Sequence, residues 1–509
     1  MRSVGQVSPG CVKAGCPGPG SVTAGCVNAM CPGPGSVTAG CVNSMCLSPG
    51  SPTAKLAILV VGLSALALSL GAWADSLPAA EPEAGPQKQG PSEPDPPQQD
   101  LSPGPAERQL PRAMRSAMDE VPRLTVGTSG ADLNGTDGRV LQAAVDYVAG
   151  LGGGIVEIGE GTFLLKDSLH LRSHVTVRGV RGKTVLRKAD GTRSRLAIDG
   201  DYGEEQITVA DPRGFEVGMG VAVWDDQAGG FHTTVARIIG RSGNRLALSV
   251  PLGADCLVSR NAAAASVFPV VSGYHLEGAK LEDVTIDGNR AANAPLNGCR
   301  GAGIFLFRAH GTTLRNCAVR GYNGDGISFQ QSNDVVIEEC VAEDNASLGL
   351  HPGSGSQRPT VRRCVARRNG DDGLFLCWRV RHGLFEDNLL EANGRFGISI
   401  GHKDSDNLLR RNVVRANASS GIFFRNEALG MAAHRNRVED CIIEDNKGEG
   451  IRIRGATRGL VFARNRIRDT RDGSARTQGV GVLIEAEVGD VTLETNEISA
   501  ESPIVDQRK

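Results

Sequence analysis

The chain has 509 residues, 67 of them glycine, with 4% aromatic residues, 40% hydrophobic residues and a formal charge of −2. A core built on large rings is excluded, and so is wholesale disorder, because small branched residues are plentiful and the net charge is low. So neutral a chain is not a strongly basic nucleic-acid binder, and nucleic acid is not an expected partner.

Residues 1–44 form a Cys/Gly/Pro tract with a tandem copy, GSVTAGCVNAMC followed by GSVTAGCVNSMC. Six of the 13 cysteines lie at positions 11, 16, 26, 31, 41 and 46. A period of about 15 residues without apolar alternation is too short for a solenoid unit. The tract reads as minisatellite DNA ahead of the true start codon, and so untranslated, or as a disordered lead, with a metal cluster or disulfide knot as the alternative. Residues 45–74 read as a secretory signal: Lys55, the apolar run LAILVVGLSALALSL, then Ala72-Trp73-Ala74. The run is short for a bilayer span. Cleavage after Ala74 predicts export to the periplasm or beyond, without stable membrane insertion, and a retained signal anchor is the alternative. Residues 75–120 are dense in proline, glutamine and acids, which predicts a disordered tether.

A coil repeat occupies the rest. Glycines followed by a hydrophobic strand recur at Gly303, Gly326, Gly349, Gly373, Gly397, Gly421 and Gly450, spaced 23, 23, 24, 24, 24 and 29 apart. A second ladder runs Cys317, Cys340, Cys364, Asn388, Asn412, Cys441, Asn465, and a third Asn323, Asn345, Asn369, Asn393, Asn417, Asn446. Three ladders in register predict one turn of a parallel β-helix per repeat, with coils stacked at the strand spacing of about 4.8 Å. Strands such as GISI and GIFF place alternate apolar residues inward. The Asn ladder reads as structural, the cysteines as small buried hydrophobes, and glycine as the residue of positive-φ corners.

The opening LNGTDGRVLQAAVDYVAGLGGGIVEIGEGTFLLKDSLHLRSHVTVRG resembles that of the pectate-lyase superfamily. The resemblance implies an all-β, right-handed single-stranded parallel β-helix over residues 121–509, with an N-terminal capping helix near 138–150. It leaves the reaction open, because that superfamily hosts lyases, hydrolases, epimerases and phage adhesins. Residues 204–262 break the coil pattern and predict a small β-hairpin insertion.

Aligning the coils gives an outward column of Phe305, Ser328, His351, Phe375, Ser399, Phe423 and Arg452. Two residues further on stand Gln330, Cys377 and Arg425, and the turns beyond carry Trp378, Arg379, His382, His402, Lys403, Asp404, Asp406 and Glu427. From His351 to Gly430 there are 13 Lys/Arg against 8 Asp/Glu, which predicts a cationic groove for an anionic polymer. In an exported chain a uronate polysaccharide is the natural substrate and partner, handled by a monomer. β-Elimination or C5 epimerisation needs a neutralised carboxylate, a base at C5 and an acid partner. Arg425 and Lys403 suit the carboxylate, His402 the base with Asp404 or Asp406 orienting it, and His351 or His382 the acid. Phe375, Trp378, Phe423, Arg379 and Gln330 are candidate sugar contacts. Metal ligation competes for the histidines and acids, and Asp283, Asp287 and Asn289 are candidate calcium ligands. Two alternatives stand beside this. Asn323-Gly-Asp325 and Asp371-Asp372 resemble polygalacturonase motifs, which implies inverting hydrolysis by paired carboxylates. A non-catalytic carbohydrate-binding or structural solenoid fits the tether equally well.

Overall fold

A computed structural model describes residues 120–508. The tract at 1–44, the signal at 45–74 and all but the last residue of the tether lie outside the described residues.

The chain enters through a capping helix. GRVLQAAVDYVAG forms α1 (Gly138–Gly150), in which Leu141, Ala144, Val145 and Val148 recur at helical spacing and bury one face against the first coil. Asp137 caps it, its carboxylate accepting from the Arg139 N–H at 2.9 Å. The glycines after it are obligatory. Gly153 and Gly154 sit at φ +113° and +151°, and a Cβ on either would collide with the backbone of His174 or Pro122.

Beyond the helix, three long parallel sheets of 13, 11 and 11 strands form the faces of a β-helix, here called A, B and C. One coil runs through face C, then A, then B, as in Asp325–Gln330, Val336–Glu338 and Val341–Glu343. Like residues stack on like residues: Ile327 on Leu350, Ile337 on Val361, Ala342 on Ala366. The interior is a column of small aliphatics with sparse phenylalanines such as Phe329, Phe385 and Phe424, all buried. Thin layers of branched residues account for the low aromatic content.

The Asn ladder is a chain of side-chain bonds through dry interior. Each Nδ2 donates to the next Oδ1, from Asn345 to Asn369 at 2.9 Å, then to Asn393, Asn417 and Asn446 at 3.0 Å each. Each rung also donates to the carbonyl of a neighbouring coil, as Asn393 does to Ala366 at 3.0 Å. Asn323 breaks the ladder, since both of its buried side-chain atoms lack a partner. Cys317, Cys340, Cys364 and Cys441 are buried and unbridged.

Glycine's role differs from the expected one. The positive-φ corners between faces A and B are held by charged or polar residues, among them Glu339, Arg363, Asp387, Arg411 and Asp440. The repeating glycines are required by close approach instead. A Cβ on Gly326 would come within 2.7 Å of the Gly349 carbonyl and 2.8 Å of the Asn345 amide, and Gly349, Gly373 and Gly397 repeat the pattern.

The insertion is a six-stranded antiparallel sheet with strands from Arg193–Arg195 through Ala263–Ala265, so it begins before residue 204. It has a core of its own around Ile207, Val221, Ile238 and Leu246.

Candidate functional site

Face C carries the outward column in the expected register, Phe305 on Ser328 on His351, and Phe375 on Ser399 on Phe423 on Arg452. Much of it is covered. Ser328 and Ser399 are 0% exposed and His351 3%. Part of the cover is the segment ahead of Ala302: Ser328 donates to the Gly298 carbonyl at 2.7 Å, and a Cβ on Gly298 would collide with the Asp325 carboxylate.

The local excess of cations does not line one groove. Arg358, Arg363, Arg368, Arg411 and Arg415 sit on faces A and B or their corners and pair with Asp334, Glu339, Asp344, Asp387 and Glu391 of the preceding coil. Half-exposed pairs of this kind are worth little individually. They knit the coils together and leave few cations to face C.

Two clusters remain on face C. The first is buried. Asp325 Oδ2 meets His351 Nδ1 at 2.7 Å, and Nε2 of that ring faces Cys377, Cys299 and Gln330. Burial disfavours the His351 cation, but its bonds to Asp325 and Cys377 outweigh burial and push the pKa up to about 10. A hydrogen bond from Cys299 and the His351 imidazolium hold the Cys377 thiol well below its ordinary range. Gln330, expected as a sugar contact, is 2% exposed and donates to Ser328 Oγ at 2.9 Å. His351 is therefore not an acid poised at solvent.

The second cluster lies where face C ends and the chain turns toward face A. His402 Nε2 pairs with Glu427 Oε1 at 2.8 Å, so Glu427 orients the imidazole. Asp404 and Asp406 do not. Asp404 is 0% exposed and accepts from the Val380 and Gly401 N–H groups and from Arg425; burial pushes its pKa up to about 7 against the Arg425 charge. Asp406 pairs with Arg435 at 2.6 Å. The His402 ring stacks on Trp378 with centroids 5.4 Å apart, and Nδ1 has no partner. Arg379 is exposed and its guanidinium stands 5.7 Å from the Trp378 ring, while Lys403 is half-buried.

The backbone here is strained. Trp378, Arg379, His402 and Lys403 have φ of +66°, +67°, +46° and +66°. No other consecutive non-glycine pairs among the described residues lie in the left-handed region. Each costs on the order of 1 kcal/mol or more, and such residues gather where a site needs a fixed geometry. The previous coil makes the same turn at Ser354 and Gly355, φ +42° and +88°.

Other expected residues have structural work. Arg425 spends its guanidinium on Ser399 Oγ at 2.9 Å, the Leu376 carbonyl at 2.7 Å and Asp404 at 3.1 Å. It lies 4.4 Å over Phe375, so that ring is capped and not a sugar platform. Phe423 stacks on Phe396 at 4.2 Å. His382 is exposed on the turn into face A, near Asp406 and apart from His402's Glu427 pair. The acids of the hydrolase alternative are engaged too: Asp325 with His351, Asp372 with Arg395 at 2.9 Å, and Asp371 with Ser347 at 2.8 Å. Asp287 pairs with Arg187 at 3.2 Å and Asn289 donates to Asp190 at 2.7 Å, so two of the three calcium candidates have other bonds.

Two features escaped the sequence reading. Cys299 and Cys377 converge on His351, and their signal was available, since both stand outside the cysteine ladder. A cleft of about 270 Å³ between the insertion and face C is lined by Phe231, His232, Tyr274, His275, Arg300, Phe305 and Phe307; of these only Phe305 stands in the outward column read from the repeat.

The chain is similar in part to several known proteins. The model of a family described as periplasmic copper-binding protein (NosD) matches residues 242–361 and 282–479. The chain is 27% identical over 143 residues to the mannuronan C5-epimerase AlgE3 of Azotobacter vinelandii, 28% of this chain and 7% of that protein. With AlgE2 of the same organism it shares 30% over 89 residues, 18% of this chain and 9% of that one. The matches thus span under a tenth of these relatives' length. Among solved structures, the A-module of the epimerase AlgE4 of A. vinelandii is similar, with a TM-score of 0.49, 17% identity, and 73% and 95% of the two chains covered. A polygalacturonase from Erwinia carotovora ssp. carotovora gives 0.49, 11%, 77% and 98%. With its three long all-parallel faces and its capping helix, the chain is a right-handed parallel β-helix protein.

Proposed function

We propose that the chain is an enzyme that removes the C5 proton of a uronate residue in an anionic polysaccharide, and that the reaction is C5 epimerisation. The observation that carries this reading is the pair of strained turns that holds His402 against Glu427 and Trp378, with Arg379 and Lys403 next to them in the chain. Glu427 takes the Nε2–H of His402, which fixes the tautomer; Nδ1, buried and without a partner, is the nitrogen left to take a proton, and the turn must open to bring the sugar to it. Arg379 takes the place of Arg425 beside Lys403 as partner for the uronate carboxylate, whose charge must be neutralised as the C5 anion develops. Trp378 offers an apolar ring beside them for a sugar face.

The relatives support epimerisation over elimination, and mannuronan is the first polymer to test. Inverting hydrolysis is disfavoured because Asp325, Asp371 and Asp372 are each held in bonds within the wall, Asp325 and Asp372 out of solvent. The matched family is described as copper-binding, and the described residues include one donor set of the soft kind that copper takes.

The test is incubation of the protein with mannuronan, pectate and glycosaminoglycans, followed by proton NMR. Conversion at C5 that is lost in His402→Gln supports the reading. Retained conversion in that variant removes His402 as base, and new reducing ends without change at C5 would replace epimerisation by hydrolysis.

A further inference from the structure

We propose that Cys299, Cys377 and His351 bind a single soft cation of the monovalent-copper type, which clasps the segment carrying Cys299 to face C. The site is separate from the His402 cluster, and the proposal does not depend on the polysaccharide reading.

The donor atoms, two Sγ and one ring nitrogen of His351, all lie within 4.8 Å of one another. Soft thiolates with an imidazole select monovalent copper over hard cations, and three donors are enough for that ion. The imidazole is already set for the task. Asp325 takes Nδ1 at 2.7 Å, which turns Nε2 toward the sulfurs, and a carboxylate behind a ligating histidine is the usual support of a metal site. Beside them Gln330 is 2% exposed, its amide nitrogen lies 3.5 Å from His351 Nε2, and its Oε1 has no partner. Buried polar atoms are rarely left without one.

Charge and access agree. Coordination releases the protons still held by the cysteine pair and by His351 Nε2. Two thiolates and one monovalent cation then sum to a single negative charge, and the Arg425 guanidinium is among the charges acting on Cys377. Cys377 is 7% exposed, while Cys299 is partly open to solvent and gives the ion a way in. The other cysteines of the solenoid and insertion do not compete. Cys317, Cys340 and Cys364 are stacked one per coil, and each thiol donates to backbone carbonyls.

The experiment uses the full chain with its six cysteines at 11, 16, 26, 31, 41 and 46 changed to serine, kept reduced, and monovalent copper presented in competition with a chromophoric chelator. The expected result is one copper per chain, with X-ray absorption showing two sulfur neighbours and one nitrogen, and affinity at least about 100-fold weaker in Cys299→Ser/Cys377→Ser. Equal uptake by that variant overturns the proposal. So does an absence of uptake by the parent, including the case where Cys299 and Cys377 form a disulfide instead. A readout that needs no variant is thermal unfolding of the reduced parent with one equivalent of copper. A ligand bound only by the native state raises the midpoint, and an unchanged midpoint contradicts the site.

Discussion

The Asn ladder allows a quantitative test. Asn393→Ala removes four hydrogen bonds from a fully buried position: Oδ1 accepts from the Asn369 N–H at 3.2 Å and its Nδ2 at 3.0 Å, and Nδ2 donates to Ala366 O and Asn417 Oδ1 at 3.0 Å each. No water replaces the lost partners there, so each bond is worth about 1 kcal/mol and the substitution costs about 4 kcal/mol. For a folded unit of about 390 residues, the unfolding entropy is roughly 0.8 kcal/mol/K, and the midpoint falls by about 5 °C. Asn323→Ala is the internal control. That side chain stands in the same sequence ladder and is 4% exposed, yet neither of its polar atoms has a partner. Its removal should cost no more than about 1 kcal/mol, because a buried amide without partners contributes little. Both variants are to be followed by calorimetry and by chemical denaturation. Equal midpoints for the two, or a shift under about 1 °C for Asn393→Ala, would refute the claim that side-chain bonds along the ladder hold the coils.

Other expectations follow from the same geometry. Lys403→Gly relieves a left-handed backbone and should raise the thermal midpoint by about 1 °C while lowering turnover at least tenfold; a midpoint that falls would show no strain at this turn. Glu427→Gln should keep the fold but lower turnover at least tenfold, because the His402 ring loses its carboxylate partner; unchanged turnover would remove Glu427 as the residue that orients His402. Lys188 is buried, with Nζ on the Ser266 carbonyl at 2.8 Å, and burial lowers its pKa to about 7. The unfolded chain then holds a proton that the folded chain has lost, so stability rises from about pH 7 to pH 10. Lys188→Met should flatten that rise, as read from denaturation midpoints across the range.

Much of the architecture was legible because a coil repeat writes its contacts at a fixed period. The step of 23 or 24 residues brings Asn369 onto Asn393 and Ile398 onto Ile422, as the ladders implied. The part played by glycine was not legible. Composition cannot distinguish a residue needed for positive φ from one needed because the next coil's carbonyl lies 2.7 Å away, and Gly326 is the second kind. The site was legible as a neighbourhood rather than as pairings. Trp378, Arg379, His402, Lys403 and Glu427 were all singled out, but period alone could not show that Glu427 faces His402 while Asp404 turns inward to Arg425. Nor could it show that Cys299, from the segment that precedes the Ala302–His310 strand, reaches His351 three coils on. That contact depends on a loop, and loops carry no periodic signal.

The central claim is loss of the C5 proton at the His402 turn, and one measurement addresses it. Mannuronan is incubated with the full chain in deuterium oxide, and the C5–H signal is followed by proton NMR. The signal is expected to decay as deuterium enters C5 with inverted configuration, and His402→Gln is expected to abolish the decay. A C5–H signal that persists across mannuronan, pectate and glycosaminoglycans, with the protein folded and active concentrations reached, would contradict it.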